Sequence, residues 1–294
     1  MRSSVAAISV SSLRTENGQS PVRELVAKYG QRLFGLAKRL CPNPSDAEDL
    51  VQETFLQAHR KFAGFRGDSD PGTWLYTIAT RLCRRKFSRP GGVPVPRLAD
   101  LLPFHDVGVI VARAQEQSPL AEQIDRETID ALEAAIAALP GTFRFPLVLK
   151  DIAQLPIADV AIALEIKPQT VKSRVHRARL MLRRVLLSRM PLRPAPAPSY
   201  ERQVCLDLLA AKLGAMDRGK DIQLGLKVLC ERCLAVFREL DLTQAACADL
   251  ADGHIPESLR RMILGRLDAT CGANRTPSGE TRTGRRWARM GASS

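Results

Sequence analysis

Cys230 and Cys233 stand two residues apart, a spacing at which two thiolates can share a metal ion or act as a redox pair. Cys205 is a candidate third ligand for such a metal. The same three side chains read equally well as small buried apolar groups. Five of the seven cysteines fall after position 200, which points to a local feature and away from a disulfide framework. Asp46, Glu48, Asp49 and Glu53 form a second concentration of reactive residue types. Metal-dependent chemistry on nucleic acid needs carboxylates converging on an ion, and these are spread around one helix. There is no phosphate-cradling glycine loop, and His59 and His176 read as surface or phosphate-facing groups. The residue types therefore suggest binding and not an enzyme.

The remaining chemistry is cationic. Lys and Arg number 44 against 31 Asp and Glu, a net charge of +13, so a polyanionic partner is expected. From Lys167 to Arg189 there are eight Lys or Arg and no acid. A helix carrying only positive charge cannot form ion pairs within itself, which favours a phosphate partner. Gln169, Thr170, Lys172, Ser173 and Arg174 are placed to reach base edges, and Arg177 and Arg179 to meet phosphates. The acidic stretch Asp46 to Phe55 is the exception in this basic chain. Nucleic acid would repel it, so it is expected to face another protein.

All of these residues must be positioned by helices. Val22, Leu25, Val26, Tyr29, Leu33, Leu36, Ala37 and Leu40 recur at three- and four-residue spacing, the period of one helical face. Cys41-Pro42-Asn43-Pro44 ends that helix. Ser45, with Glu48 three residues on, predicts a capping box at the start of the next. Ala47, Leu50, Val51, Thr54, Phe55, Ala58 and Phe62 then form its inner face. A glycine-rich loop follows, and a third helix from about Thr73 to Arg85 turns Trp74, Leu75, Ile78, Ala79 and Leu82 inward. Ile157 to Leu164, the turn Glu165-Ile166-Lys167, and a helix opened by Pro168 make a helix-turn-helix.

The fold class is all-α: two small helical domains joined by a linker, plus a third helical C-terminal domain, with no strand-period run. Residues 1–20 are expected to be a disordered leader, 21–88 the first domain and 89–119 a linker with one weak helix. The helix-turn-helix domain covers 120–190, a stiff Pro-rich linker 191–199, the C-terminal block 200–270 and a basic disordered tail 271–294. No apolar run reaches the roughly 20 residues of a membrane span, so no membrane insertion and a cytoplasmic location are expected.

With both motifs located, the chain resembles a bacterial RNA polymerase sigma factor of the extracytoplasmic-function type. The resemblance lies in Asp46-Ala47-Glu48-Asp49-Leu50-Val51-Gln52-Glu53-Thr54-Phe55, Phe65 and Trp74-Leu75-Tyr76-Thr77-Ile78-Ala79. It continues in Leu139-Pro140 and through Thr170-Val171-Lys172-Ser173-Arg174-Val175-His176-Arg177-Ala178-Arg179. It implies that Asp46, Asp49, Gln52 and Glu53 dock on core RNA polymerase. It also implies that Phe65, Trp74, Tyr76, Arg81, Arg84 and Arg85 capture the unpaired −10 strand, and that the helix from Pro168 reads the −35 duplex. Stacking surfaces beside a cationic groove suit a single strand, although Trp74 reads equally as core and Phe65 as a loop anchor. Glu165 stands where the family has glycine, Lys167 where it has a capping Ser or Thr, Thr80-Arg81 where it has Arg-Asn, and Arg85 where an acid is common.

Cys205-Leu206-Asp207-Leu208-Leu209, Asp217 to Asp221 and Cys230-Glu231-Arg232-Cys233 resemble a zinc-binding anti-sigma domain. The family's histidine is Leu226 here, which leaves Cys247, His254 or Cys271 as candidates for a fourth zinc ligand. A metal-free helical relic and a thiol switch are the other readings. No cofactor is required for the main function; zinc in the C-terminal block is optional. Regulation is expected from an anti-sigma factor or from the C-terminal block itself, in either direction. The competing reading is a free-standing helix-turn-helix regulator that needs no polymerase.

Overall fold

The computed structural model describes residues 21–65, 67, 69–87, 96–111, 126–220, 229–251 and 254–273. The expected leader, the tail beyond 273, Leu226 and parts of the first linker lie outside them.

Three helices build the first unit: α1 (Pro21–Leu40), α2 (Pro44–Lys61) and α3 (Pro71–Phe87). The α1 stripe is buried as its spacing predicts, with Val22, Leu25, Leu33, Ala37 and Leu40 fully enclosed. It packs on Ala47, Val51, Phe55 and Ala58 of α2 and on Leu75 and Ala79 of α3. The start of α2 differs from the expected capping box. Pro44 occupies the first turn and Asn43 is the cap, its side chain accepting from the Asp46 N–H at 2.8 Å. Proline at the first helical position lacks an N–H, so the cap moves two residues upstream of Ser45. Glu48 is thereby released from a capping role. At the start of α3, Asp70 accepts from the Gly72 N–H at 2.8 Å. A Cβ on Gly72 would sit 2.6 Å from the Tyr29 ring, so only glycine lets α1 and α3 approach this closely.

The short α4 (Leu98–Leu101) and the strand β1 (Gly108–Ile110) lie in the first linker. The second unit comprises α5 (Arg126–Ala138), α6 (Gly141–Leu147), a π-turn at Val148–Ile152, α7 (Ile157–Leu164) and α8 (Pro168–Arg189). Helix α7 ends on Glu165 in the left-handed region at φ 58°. This is the position where a glycine carries no Cβ penalty. Lys167 precedes α8 without a side-chain cap, and Pro168 pre-sets the first turn.

Strand β2 (Leu192–Pro194) follows α8 and pairs antiparallel with β1, Val109 opposite Arg193. The expectation of no strand is corrected at this one place. Three-residue strands are too short to leave a period in the sequence, and the proline-rich segment takes an edge that needs few donors. The last block holds α9 (Arg202–Asp217), α10 (Glu231–Asp249) and α11 (Glu257–Ala273).

The three blocks are packed against one another. One apolar core runs from α1–α3 through α5–α8 to Leu242, Cys247, Leu259, Ile263 and Leu267 of α10 and α11. A smaller one gathers Leu101, Leu180, Cys205, Leu213, Phe237 and Leu240. Among the described residues, no helix is long and apolar enough to cross a membrane.

Candidate nucleic-acid interface and docking face

The acidic face of α2 is open. Asp49 is 65% exposed and Glu53 44%, while Leu50, Val51 and Phe55 on the same helix are buried. Between α2 and α3 lies an open groove of about 500 Å³, lined by Asp49, Leu50, Gln52, Glu53, Leu82, Arg85 and Lys86. An apolar floor under a rim of two acids and two bases, with Glu53 also paired to Arg60 at 2.6 Å, suits a partly apolar protein surface of mixed charge. The expected docking residues separate here. Asp49, Gln52 and Glu53 line the groove, whereas Asp46 is held by Lys86 at 2.9 Å and by the Asn43 amide at 2.7 Å. Lys86 spans to Asp49 as well, at 3.4 Å. Its hydrogen bond to Asp46 comes first in raising its pKa. The sequence does not signal this pairing, because α2 and α3 are brought together only by the fold.

Phe65, in the loop before α3, lies 4.7 Å from the Trp74 ring, centroid to centroid. Phe62 completes the group at 6.2 and 6.3 Å. All three rings are half-buried, which leaves an aromatic platform at the loop. Tyr76, expected among the base-stacking groups, is corrected to core. It is 6% exposed, and burial pushes its hydroxyl pKa up to about 12. It sits on the inward side of α3 with Leu75 and Ala79, at a spacing that a wide helical face absorbs.

Arg85 is exposed. Arg81, which stays exposed, and half-buried Arg84 both reach the helix-turn-helix. Arg84 donates to the Leu164 carbonyl at 2.6 Å, and Arg81 donates to the Ile162 carbonyl at 3.5 Å and pairs with Glu165 at 3.3 Å.

On α8, Gln169, Lys172 and Ser173 are exposed, and Thr170, Arg174 and Arg177 are half-buried. The exposed residues lie in its first two turns, the end that enters a major groove in this motif. Arg177 lies over the Phe143 ring, 5.6 Å from its centroid. Arg179, expected to meet phosphate, is corrected to an internal group. It is 1% exposed, forks onto Asp151 at 2.7 and 2.8 Å and donates to Asp217 at 2.8 Å. Burial opposes its charge, but the two carboxylates outweigh burial and raise its pKa. Arg183 is likewise fully buried, between Glu239 and Asp106. So two of the cations on α8 are answered by carboxylates from elsewhere in the chain, a pairing that a helix-local count of charge does not reveal.

Cys205, Cys230 and Cys233, the candidate metal ligands, do meet in one cluster. Cys233 Sγ lies 3.9 Å from Cys205 Sγ, and Cys230 caps α10 by accepting from the Cys233 N–H at 3.5 Å. Burial pushes the Cys233 thiol up to about 12. Among the described residues, no group of three or more His, Cys, Asp or Glu is arranged to hold a metal ion.

Comparison with known proteins bears on both faces. Residues 25–91 match the family model described as Sigma-70 region 2, and residues 129–182 the one described as Sigma-70, region 4. The chain is 37% identical to the ECF RNA polymerase sigma factor SigE of Mycolicibacterium smegmatis over 54% of its own length, and spans 59% of that relative. It is 32% identical to the RNA polymerase sigma-H factor of Pseudomonas aeruginosa, covering 53% of this chain and 80% of that one. It is 30% identical to the ECF RNA polymerase sigma-E factor of Haemophilus influenzae, covering 54% and 83%. All of these alignments leave a large part of the chain unmatched.

Proposed function

Because this chain belongs to the extracytoplasmic-function RNA polymerase sigma factors, we propose that it docks on core RNA polymerase through Asp49, Gln52 and Glu53. From there it directs initiation by reading −35 duplex with the first turns of α8 and holding the unpaired −10 strand on Phe65 and Trp74. The observation that carries this reading is the coexistence of two surfaces on one chain. One is an open groove on α2 and α3, the other an exposed polar and basic end of a recognition helix. A free-standing regulator has no use for the first. The groove offers an apolar floor and no excess of positive charge for phosphate, which suits a protein surface better than DNA.

The chemistry is one of binding, with no catalytic residue and no cofactor of the chain's own. Opening a base step costs a few kcal/mol, and stacking on an aromatic side chain returns roughly 1–3 kcal/mol per base, so no hydrolysis is needed to hold the strand. The site of action is the cytoplasm, where polymerase and chromosome meet. Run-off transcription with purified core polymerase and a set of genomic promoter fragments tests the reading. Discrete promoter-dependent transcripts are expected, and stable operator binding with no transcript from any fragment would overturn it.

A further inference from the structure

The −10 and −35 readers touch each other. Arg84 of α3 donates to the last carbonyl of α7 at 2.6 Å, and Arg81 pairs with Glu165 in the turn that leads into the recognition helix. Promoter elements centred about 25 base pairs apart lie about 85 Å apart along a duplex at roughly 3.4 Å per step. A chain in which the two readers are in contact cannot engage both elements together. The segment between Phe87 and Arg126 can cover that distance at roughly 3.3–3.6 Å per extended residue, but part of it is pinned.

The pin is the C-terminal block. Arg232, between the paired cysteines, donates to the carbonyls of Pro103, Phe104 and Asp106 at 2.9–3.1 Å, and to that of Pro196 at 3.1 Å. Glu239, two turns further along the same face of α10, accepts from the Ile110 N–H at 2.9 Å and pairs with buried Arg183. Strand β1 is sealed in the same place by β2. Carbonyls two and three residues apart converge on one guanidinium only while the chain is turned back on itself, so an extended linker cannot satisfy Arg232. The block also grips both units that must separate. Asp217 of α9 holds Arg179 and His176 of α8, and Leu259, Ile263 and Leu267 of α11 are buried in the core shared with α1 and α2. The groove on α2 stays open throughout.

We propose that helices α9, α10 and α11 are a built-in clamp that keeps the two promoter-reading units closed, and that Arg232, gripping the linker, is its latch. This rests on the promoter-reading function above. In the closed state the chain can still meet polymerase through α2, but it cannot span a promoter until the linker leaves Arg232.

The test uses the full chain. Donor and acceptor dyes are placed at exposed Lys61 and Ser188 through unnatural amino acids, and energy transfer is read without polymerase. Promoter run-off with core polymerase is measured on the same proteins. Arg232→Ala is expected to lower transfer and to raise run-off about five-fold or more. Glu239→Gln, which keeps Arg232 in place, is expected to shift both in the same direction by less. Circular dichroism shows that each variant is folded. Unchanged transfer in both folded variants overturns the proposal, and so does lowered transfer without a gain in transcript. If no protein yields transcript, wild type included, the transcription reading fails and energy transfer alone decides whether the clamp exists.

Discussion

Arg179 meets Asp151 through two parallel hydrogen bonds, Nε to Oδ2 at 2.8 Å and Nη2 to Oδ1 at 2.7 Å, with both side chains 1% exposed. This fork ties the recognition helix to the π-turn before α7, so the helix is aimed by an ion pair inside the domain and not by the DNA it reads. Removing one partner of a buried pair leaves an uncompensated charge, at a cost of roughly 3–5 kcal/mol.

Arg179→Ala is therefore expected to lower the melting temperature of the full chain by roughly 6–20 °C. Lys172→Ala, on the exposed face of the same helix, is expected to leave it within about 2 °C. In −35 duplex binding the two differ again. Lys172→Ala weakens affinity by roughly 1–3 kcal/mol and relaxes sequence preference at the base pair it reads. Calorimetry and fluorescence anisotropy read both. A normal melting temperature for Arg179→Ala with lost duplex binding would place that side chain on DNA after all.

Asp217 gives a pH dependence of defined sign. Burial works against its carboxylate, but donation from His176 and the charge of Arg179 prevail and hold its pKa below the ordinary 3.8. A group with a lowered folded pKa stabilises the fold above its unfolded value, and that stability is lost as pH falls through the folded value. Urea midpoints of the wild-type chain are expected to fall below about pH 4. The fall is expected to be shallower in Asp217→Asn, which starts from a lower plateau at pH 7. Equal slopes in the two proteins would remove Asp217 from the account.

Much of this was legible beforehand, and the losses have physical causes. Helical periodicity located α1, α2, α3, α7 and α8, because each buries one continuous stripe. The departure at Glu165 was visible as a missing glycine, and its φ of 58° shows what glycine would have relieved there. Arg179 turns inward because Asp151 and Asp217, brought by the fold from distant positions, answer its charge, and a charge count along one helix is blind to them. Tyr76 was misplaced because an amphipathic ring reads the same at a core edge and on a stacking platform. Asn43 displaced Ser45 as the cap because Pro44 set where the helix begins.

The aromatic platform separates from the core by substitution. Phe65→Ala is expected to reduce opening of the −10 region by about 5- to 150-fold, the equivalent of roughly 1–3 kcal/mol for one stacked base. Tyr76→Phe, in a buried position, is expected to change opening by less than about two-fold. The fluorescence of 2-aminopurine in the non-template strand, recorded with core polymerase present, reports both. Equal losses from the two substitutions would place Tyr76 at the strand.

Polymerase docking through the acidic face of α2 predicts sensitivity to charge reversal there. Asp49→Lys combined with Glu53→Lys reverses that face at positions exposed enough that folding changes by less than about 1 kcal/mol. Affinity of the full chain for core RNA polymerase, measured by fluorescence anisotropy at two salt concentrations, is the most direct reading. The double variant is expected to bind at least 100-fold more weakly, with promoter run-off lost in parallel and isolated −35 duplex binding retained. Polymerase affinity equal to wild type, with run-off intact, would contradict the account.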